Sequence, residues 1–74
     1  MNIEELKKLL IKSDVPNYLY NLNGSGRKDE RFCIESCDDE WLVYFSEKGI
    51  RTTEKRFHSE DDACMFLYEQ LKNL

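Results

Sequence analysis

No stretch of this 74-residue chain comes near the roughly 20 consecutive apolar residues that a membrane-spanning helix needs. The opening MNIEELKKLL is interrupted by Glu4, Glu5, Lys7 and Lys8, so it predicts neither a span nor an export signal. Low-complexity tracts are missing, and a composition of 41% hydrophobic and 12% aromatic residues argues for a folded chain. Three cysteines leave one unpaired in any disulfide scheme, which argues against a stapled secreted scaffold and for a reducing cytoplasm. Basic charge is in deficit: 11 Lys and Arg against 15 Asp and Glu give a net charge of −4. With no linker and no internal repeat, residues 1–74 make one domain, small enough to bury only about 60% of its unfolded surface.

Catalytic signatures are lacking too. There is no GxSxG, no HExxH and no phosphate-binding glycine loop; Gly24-Ser25-Gly26 is not followed by Gly-Lys-Ser/Thr. Cys33, Cys37, His58 and Cys64 are metal ligands in principle, but their spacing matches no zinc pattern, and the cysteines read as small apolar residues. A pair of His58 with Cys33 or Cys64 is conceivable, but Glu60, Asp61 and Asp62 in the same turn oppose a thiolate there. A chain this short has little volume for an enclosed pocket. The sequence therefore predicts no enzyme, no cofactor and no metal.

What is present is a clear order of elements. Asn2 and Glu5 make a capping-box-like start for a helix with Ile3, Leu6, Leu9 and Leu10 on one face. That helix stops by Asp14, because Pro16 disfavours a helical Val15. Tyr18 to Leu22 alternates like a short edge strand, and Asn23 to Gly26 reads as a turn. Arg31 to Ser36 and Trp41 to Ser46 are strands, joined by the Asp38-Asp39 turn. Trp41, Val43 and Phe45 share one face; Leu42 and Tyr44 share the other. Lys48-Gly49 is a tight hairpin turn before a polar strand, Ile50 to Phe57. Ser59 caps a last helix whose stripe is Ala63, Phe66, Leu67, Leu71 and Leu74, with Cys64 and Tyr68 at its sides. The expected fold is a two-layer α+β domain: an antiparallel sheet of three or four strands with an N-terminal and a C-terminal helix on one face. The expected core is Leu6, Leu10, Phe32, Ile34, Trp41, Val43, Phe45, Ala63, Phe66, Leu67 and Leu71.

Two features suggest a partner. Glu35 to Glu40 reads ESCDDE, and Ser59 to Asp62 reads SEDD. Capping and dipole chemistry explain the second of these without a partner. The first, with Glu35, Asp38, Asp39 and Glu40, adjoins Leu42 and Tyr44, which are partly exposed if helices cover only one sheet face. Apolar anchors ringed by charge make a protein interface. Glu47 and Arg51, flanking Gly49, either pair with each other or add to that surface. The expected partner is a basic protein, with no role for nucleic acid or membrane. A second possibility is a homodimer through the same Leu42 and Tyr44 face, so the free chain is expected to be a monomer or a weak homodimer.

In outline the chain resembles a double-stranded RNA-binding domain, down to Pro16-x-Tyr18 and the final amphipathic helix. That family places a basic cluster at the start of its last helix, where this chain has Ser59-Glu60-Asp61-Asp62, so RNA binding is not expected. From Val15 to Leu74 the chain is similar to the small immunity proteins of bacterial polymorphic toxin systems. The matching stretches are Pro16 with Tyr20 (Tyr18 lies closer), Gly24 or Gly26, Phe32-Cys33-Ile34-Glu35, and Trp41-Leu42-Val43-Tyr44-Phe45. They continue with Ser46-Glu47-Lys48-Gly49 and with Phe57-His58-Ser59-Glu60 running to Ala63-Cys64. Leu42 and Lys48 depart from the pattern. The resemblance implies a cytoplasmic protein that silences a cognate toxin by binding it.

Overall fold

The computed structural model describes residues 1–22 and 30–73. Helix α1 spans Ile3–Lys12 and is followed by a 3-10 turn, Asn17–Leu19. Strands β1 (Tyr20–Leu22), β2 (Arg31–Cys37), β3 (Glu40–Glu47) and β4 (Ile50–Phe57) come next, and helix α2 (Glu60–Lys72) closes the chain. The sheet order is β1-β2-β3-β4. The fold is the expected two-layer α+β arrangement, but the sheet is mixed: β1 runs parallel to β2, while β2–β3 and β3–β4 are antiparallel. The expected turn Asn23 to Gly26 lies outside the described residues, as does Leu74.

Both helices begin where the sequence chemistry places them. Asn2 Oδ1 accepts from the Glu5 N–H at 2.9 Å, and Glu5 Oε1 accepts from the Asn2 N–H at 3.2 Å, which completes the capping box. The helix ends at Ser13, and Asp14 turns the chain with a φ of 58°. Tyr18 does not join the strand expected for it. The Leu19 N–H donates to the Pro16 carbonyl at 3.1 Å, so residues 17–19 close a tight turn and only Tyr20–Leu22 extend. Tyr18 is left 62% exposed. Lys48 and Gly49 both take positive φ, 50° and 80°, the signature of a two-residue hairpin turn whose twist suits the strands.

The two helices lie side by side and point the same way. The Ile3 N–H donates to Glu60 Oε2 at 2.8 Å, and Ser13 Oγ lies 3.5 Å from Tyr68 Oη. Their positive dipole ends therefore meet at one end of the domain. Glu60 relieves this by satisfying one of the orphan amides of α1 from the first turn of α2. The Met1 ammonium pairs with Asp61, and Ser59 Oγ accepts from the Asp62 N–H at 3.1 Å.

Between helices and sheet lies the main core: Leu6 and Leu10 from α1, Tyr20, Ile34 and Val43 from the sheet, and Ala63, Cys64, Leu67 and Leu71 from α2. Ile34 and Val43 oppose each other directly in the register. Phe32, Trp41 and Phe66 pack against this core from its rim and are only partly buried, as is Phe45. The Phe32 and Phe45 rings stand 5.0 Å apart, and those of Phe57 and Phe66 5.4 Å. Phe32, Trp41, Phe57 and Phe66 close the margins, while the centre is mostly aliphatic, with Tyr20 its one aromatic among the described residues.

β4 carries one irregularity that redirects half a strand. Its register against β3 shifts between Val43↔Lys55 and Phe45↔Thr52, so Thr53 and Glu54 together face Tyr44. Thr53 has a φ of 54°, a left-handed conformation that costs a side-chain-bearing residue about 1–2 kcal/mol and a β-branched one the most. Side chains alternate along a regular strand, so Arg51 and Glu54 would point to opposite faces. The bulge cancels one step of that alternation. Arg51 and Arg56 then both lie on the side away from the helices, while Phe57 still reaches the helical side opposite Trp41. The substitution Thr53→Gly should raise stability by about 1 kcal/mol without altering the fold, measured by urea denaturation; a loss of stability would show that the threonine side chain contributes more than its backbone strain costs.

Candidate protein-binding surface

The sheet face away from the helices was expected to expose Leu42 and Tyr44. It does not: Leu42 is 4% exposed and Tyr44 1%, and with Cys33 they form a second buried cluster. The cover is a layer of paired charges. Arg51 lies over the Tyr44 ring, 4.4 Å from its centroid. Its two terminal nitrogens reach Glu35 at 3.5 Å and Glu54 at 3.7 Å. Arg56, opposite Leu42 in the register, reaches Glu40 at 3.8 Å. Long arginine stems lie along the apolar groups and keep their heads in water. Leu42 and Tyr44 are therefore structural. The homodimer through that face loses its basis, because its apolar surface is already covered within one protomer.

The acids of the first hairpin divide into two kinds. Glu35 and Glu40 are engaged with arginines, so they contribute little net field. Asp38 and Asp39 form the turn itself and are exposed, with no ion pair among the described residues. Asp38 takes a left-handed φ of 56°, which aspartate tolerates better than most residues. Glu47 does not pair with Arg51, whose partners are Glu35 and Glu54. It sits at the far end of β3, about 23 Å from Glu40 at roughly 3.3 Å per residue. The proposed set Glu35, Asp38, Asp39, Glu40, Glu47 and Arg51 is thus spread along the whole strand.

Topology adds a grouping that the linear sequence hides. The β2–β3 turn and the end of β4 lie at the same edge of the sheet, because Cys37 pairs with Glu40 and Trp41 with Phe57. Two residues later α2 begins, and α1 begins beside it through the Ile3 to Glu60 bond. Acids from three distant segments therefore meet at one end: Glu4 and Glu5, Asp38 to Glu40, and Glu60 to Asp62. Of these, Glu5, Glu40, Glu60 and Asp61 have the intramolecular partners described above. Glu4, Asp38, Asp39 and Asp62 are exposed and have no ion pair among the described residues. The signal was present in the sequence as three acidic runs, but only chain topology brings them together.

The interior thiols and phenol are set against ionisation. Burial pushes the Cys64 thiol up to about 11, and the nearby Glu60 carboxylate adds to the effect. Burial raises the Tyr44 phenol well above its ordinary value; the Cys33 sulfur and Glu35 carboxylate raise it further, and Arg51 opposes them. The Tyr44 hydroxyl is buried beside the Glu35 carboxylate and makes no hydrogen bond of full geometry among the described residues. Cys33 and Cys64 are buried and Cys37 is exposed, all three as free thiols. Among the described residues no group of His, Cys, Asp and Glu is placed to hold a metal, and no helix is long and apolar enough to cross a membrane. Comparison with family models, curated proteins and solved structures finds no match to this chain.

Two outcomes follow from these environments. Under native conditions a thiol reagent should label Cys37 rapidly and reach Cys33 and Cys64 only on unfolding; prompt labelling of all three would contradict the burial. Cys64 and Tyr44 hold their protons more tightly folded than unfolded. Their contribution to stability should therefore be constant below about pH 9 and be lost as the pH rises from 9 towards about 11, as Cys64 and then Tyr44 ionise in the unfolded chain. Denaturation midpoints across that range check the sign. Tyr44→Phe, which removes a buried hydroxyl that makes no hydrogen bond of full geometry among the described residues, should be neutral or stabilising by about 1 kcal/mol, whereas Tyr44→Ala should cost about 3–5 kcal/mol.

Proposed function

We propose that this chain is a small inhibitory binding protein that holds a cognate bacterial toxin domain in a one-to-one complex, with its acidic end against a basic surface of the toxin. The observation that carries this reading is the convergence of three acidic segments at one end, with Glu4, Asp38, Asp39 and Asp62 exposed there and without an ion pair among the described residues. Carboxylates that stabilise the fold have partners within it, as Glu35, Glu40, Glu60 and Asp61 do. Glu4 and Asp62 lie in first turns, where the helix dipoles favour them, so Asp38 and Asp39 are the acids whose value lies chiefly in the field they project. Such a field repels phosphate and draws in basic protein, and charge steering raises association rates by about 10- to 1000-fold at low salt. The resemblance of residues 15–74 to immunity proteins supplies the toxin as the class of target and the cytoplasm as the place. The domain needs no catalytic group for this role, since occupying a toxin's working surface is enough.

The test begins with the tagged chain in its native cell, which should recover a basic protein in equimolar amount whose toxic activity the chain suppresses. Association of the purified pair is then followed by stopped flow at several salt concentrations. Reversing Asp38, Asp39 and Asp62 to lysine together should slow association by at least about tenfold at low salt and flatten its salt dependence. Glu47→Lys, at the opposite end, should leave both nearly unchanged. A triple variant that associates like the wild type would remove the acidic end from the mechanism.

A further inference from the structure

We infer that Arg51 is a docking plate for an aromatic side chain presented by the protein partner. The inference rests on the reading of the chain as a protein binder, but not on the acidic end. A guanidinium has two planar faces and a rim of N–H donors. One face of Arg51 lies on the Tyr44 ring at 4.4 Å. Two of its rim nitrogens are taken by Glu35 and Glu54. The side chain is nonetheless 47% exposed, and no second ring among the described residues stacks on the face opposite Tyr44. Its charge is matched by two carboxylates, so a further carboxylate from a partner would meet repulsion from Glu35 and Glu54. A neutral aromatic ring meets none, and stacking on the open face completes a ring–guanidinium–ring sandwich.

Three separate features hold this group in place. The left-handed Thr53 keeps open the bulge that brings Arg51 and Glu54 to one face. Tyr44 is fixed in the second cluster with Cys33 and Leu42. Glu54 from the same strand and Glu35 from β2, across β3, fix the guanidinium rim. The backbone strain at Thr53 costs stability, and its effect is to hold Arg51 over the Tyr44 ring. A side chain fixed beforehand loses little entropy on binding, and arginine is among the residues that dominate binding energy.

The intact protein tests this with indole as a probe for a tryptophan side chain. In a titration followed by NMR, indole should give saturable shifts at the Arg51 Nε–H, the Tyr44 ring and the Glu54 amide, while cyclohexanol, of similar bulk but not aromatic, should give none there. Arg51→Lys keeps the charge and loses the plane, so the indole shifts at Tyr44 and Glu54 should be lost. Equal responses to indole and cyclohexanol, or indole shifts gathered instead at the exposed Ile11, Tyr18 and Met65, would overturn the proposal. The wild-type comparison decides the matter even if the variant does not fold. If the indole site is found and the charge-reversal series fails, the plate stands without the acidic end; the opposite pair of results removes the plate alone.

Discussion

Burial of β3 on both faces is the constraint that shapes this domain. Leu42, Val43 and Tyr44 are consecutive and all buried, so the strand needs cover on each side. The helices supply it for Val43. Among the described residues there is no second helical layer, and Leu42 and Tyr44 are covered by what their neighbouring strands carry. β2 offers Cys33 and Glu35, and β4 offers Arg51, Glu54 and Arg56. The ion pairs among these charges are partly exposed and each contributes little by itself, about 0.2–1 kcal/mol. Their larger effect is to hold long side chains flat over apolar ones, which removes that surface from water.

The same need explains the strain in β4. A strand that alternates regularly cannot direct both Arg51 and Arg56 to the outer face and also return Phe57 to the helical side. One extra residue in β4 meets all three demands, at the cost of a left-handed threonine. The consequence for recognition is that the outer sheet face is a charge-balanced, preformed layer. Four exposed acids without an ion pair among the described residues, Glu4, Asp38, Asp39 and Asp62, gather instead at the end where both helices begin. Structure and electrostatics thus separate: the sheet face offers shape and planar groups, and the acidic end offers a long-range field.

Most of the architecture was legible in the residues because it rests on local rules. The Asn2–Glu5 capping box, the stop before Pro16, the Lys48-Gly49 turn and the Ser59 cap each depend on atoms a few residues apart. The alternation of Trp41 to Phe45 correctly divided that strand into two faces. What it could not say is which face would be covered, since the covering charges come from separate strands, Arg51 and Glu35 being 16 positions apart, and arrive through pairing. The expectation of an exposed Leu42 and Tyr44 assumed that only helices bury apolar groups, and paired charges did so here. The parallel β1 was hidden because three residues carry no signal of direction. The acidic end was hidden for a similar reason: its segments are remote in the chain, and only the register of β2, β3 and β4 brings them together.

The claim on which the rest depends is that β3 is sealed on its outer face within a single protomer. The most direct measurement is the solution NMR spectrum of the dilute protein at neutral pH. A guanidinium resting 4.4 Å above an aromatic ring predicts upfield ring-current shifts of the Arg51 δ and ε protons, and nuclear Overhauser contacts from them to the Tyr44 ring. Arg51 protons at ordinary unshifted positions, with a Tyr44 ring open to a water-soluble paramagnetic probe, would contradict the account.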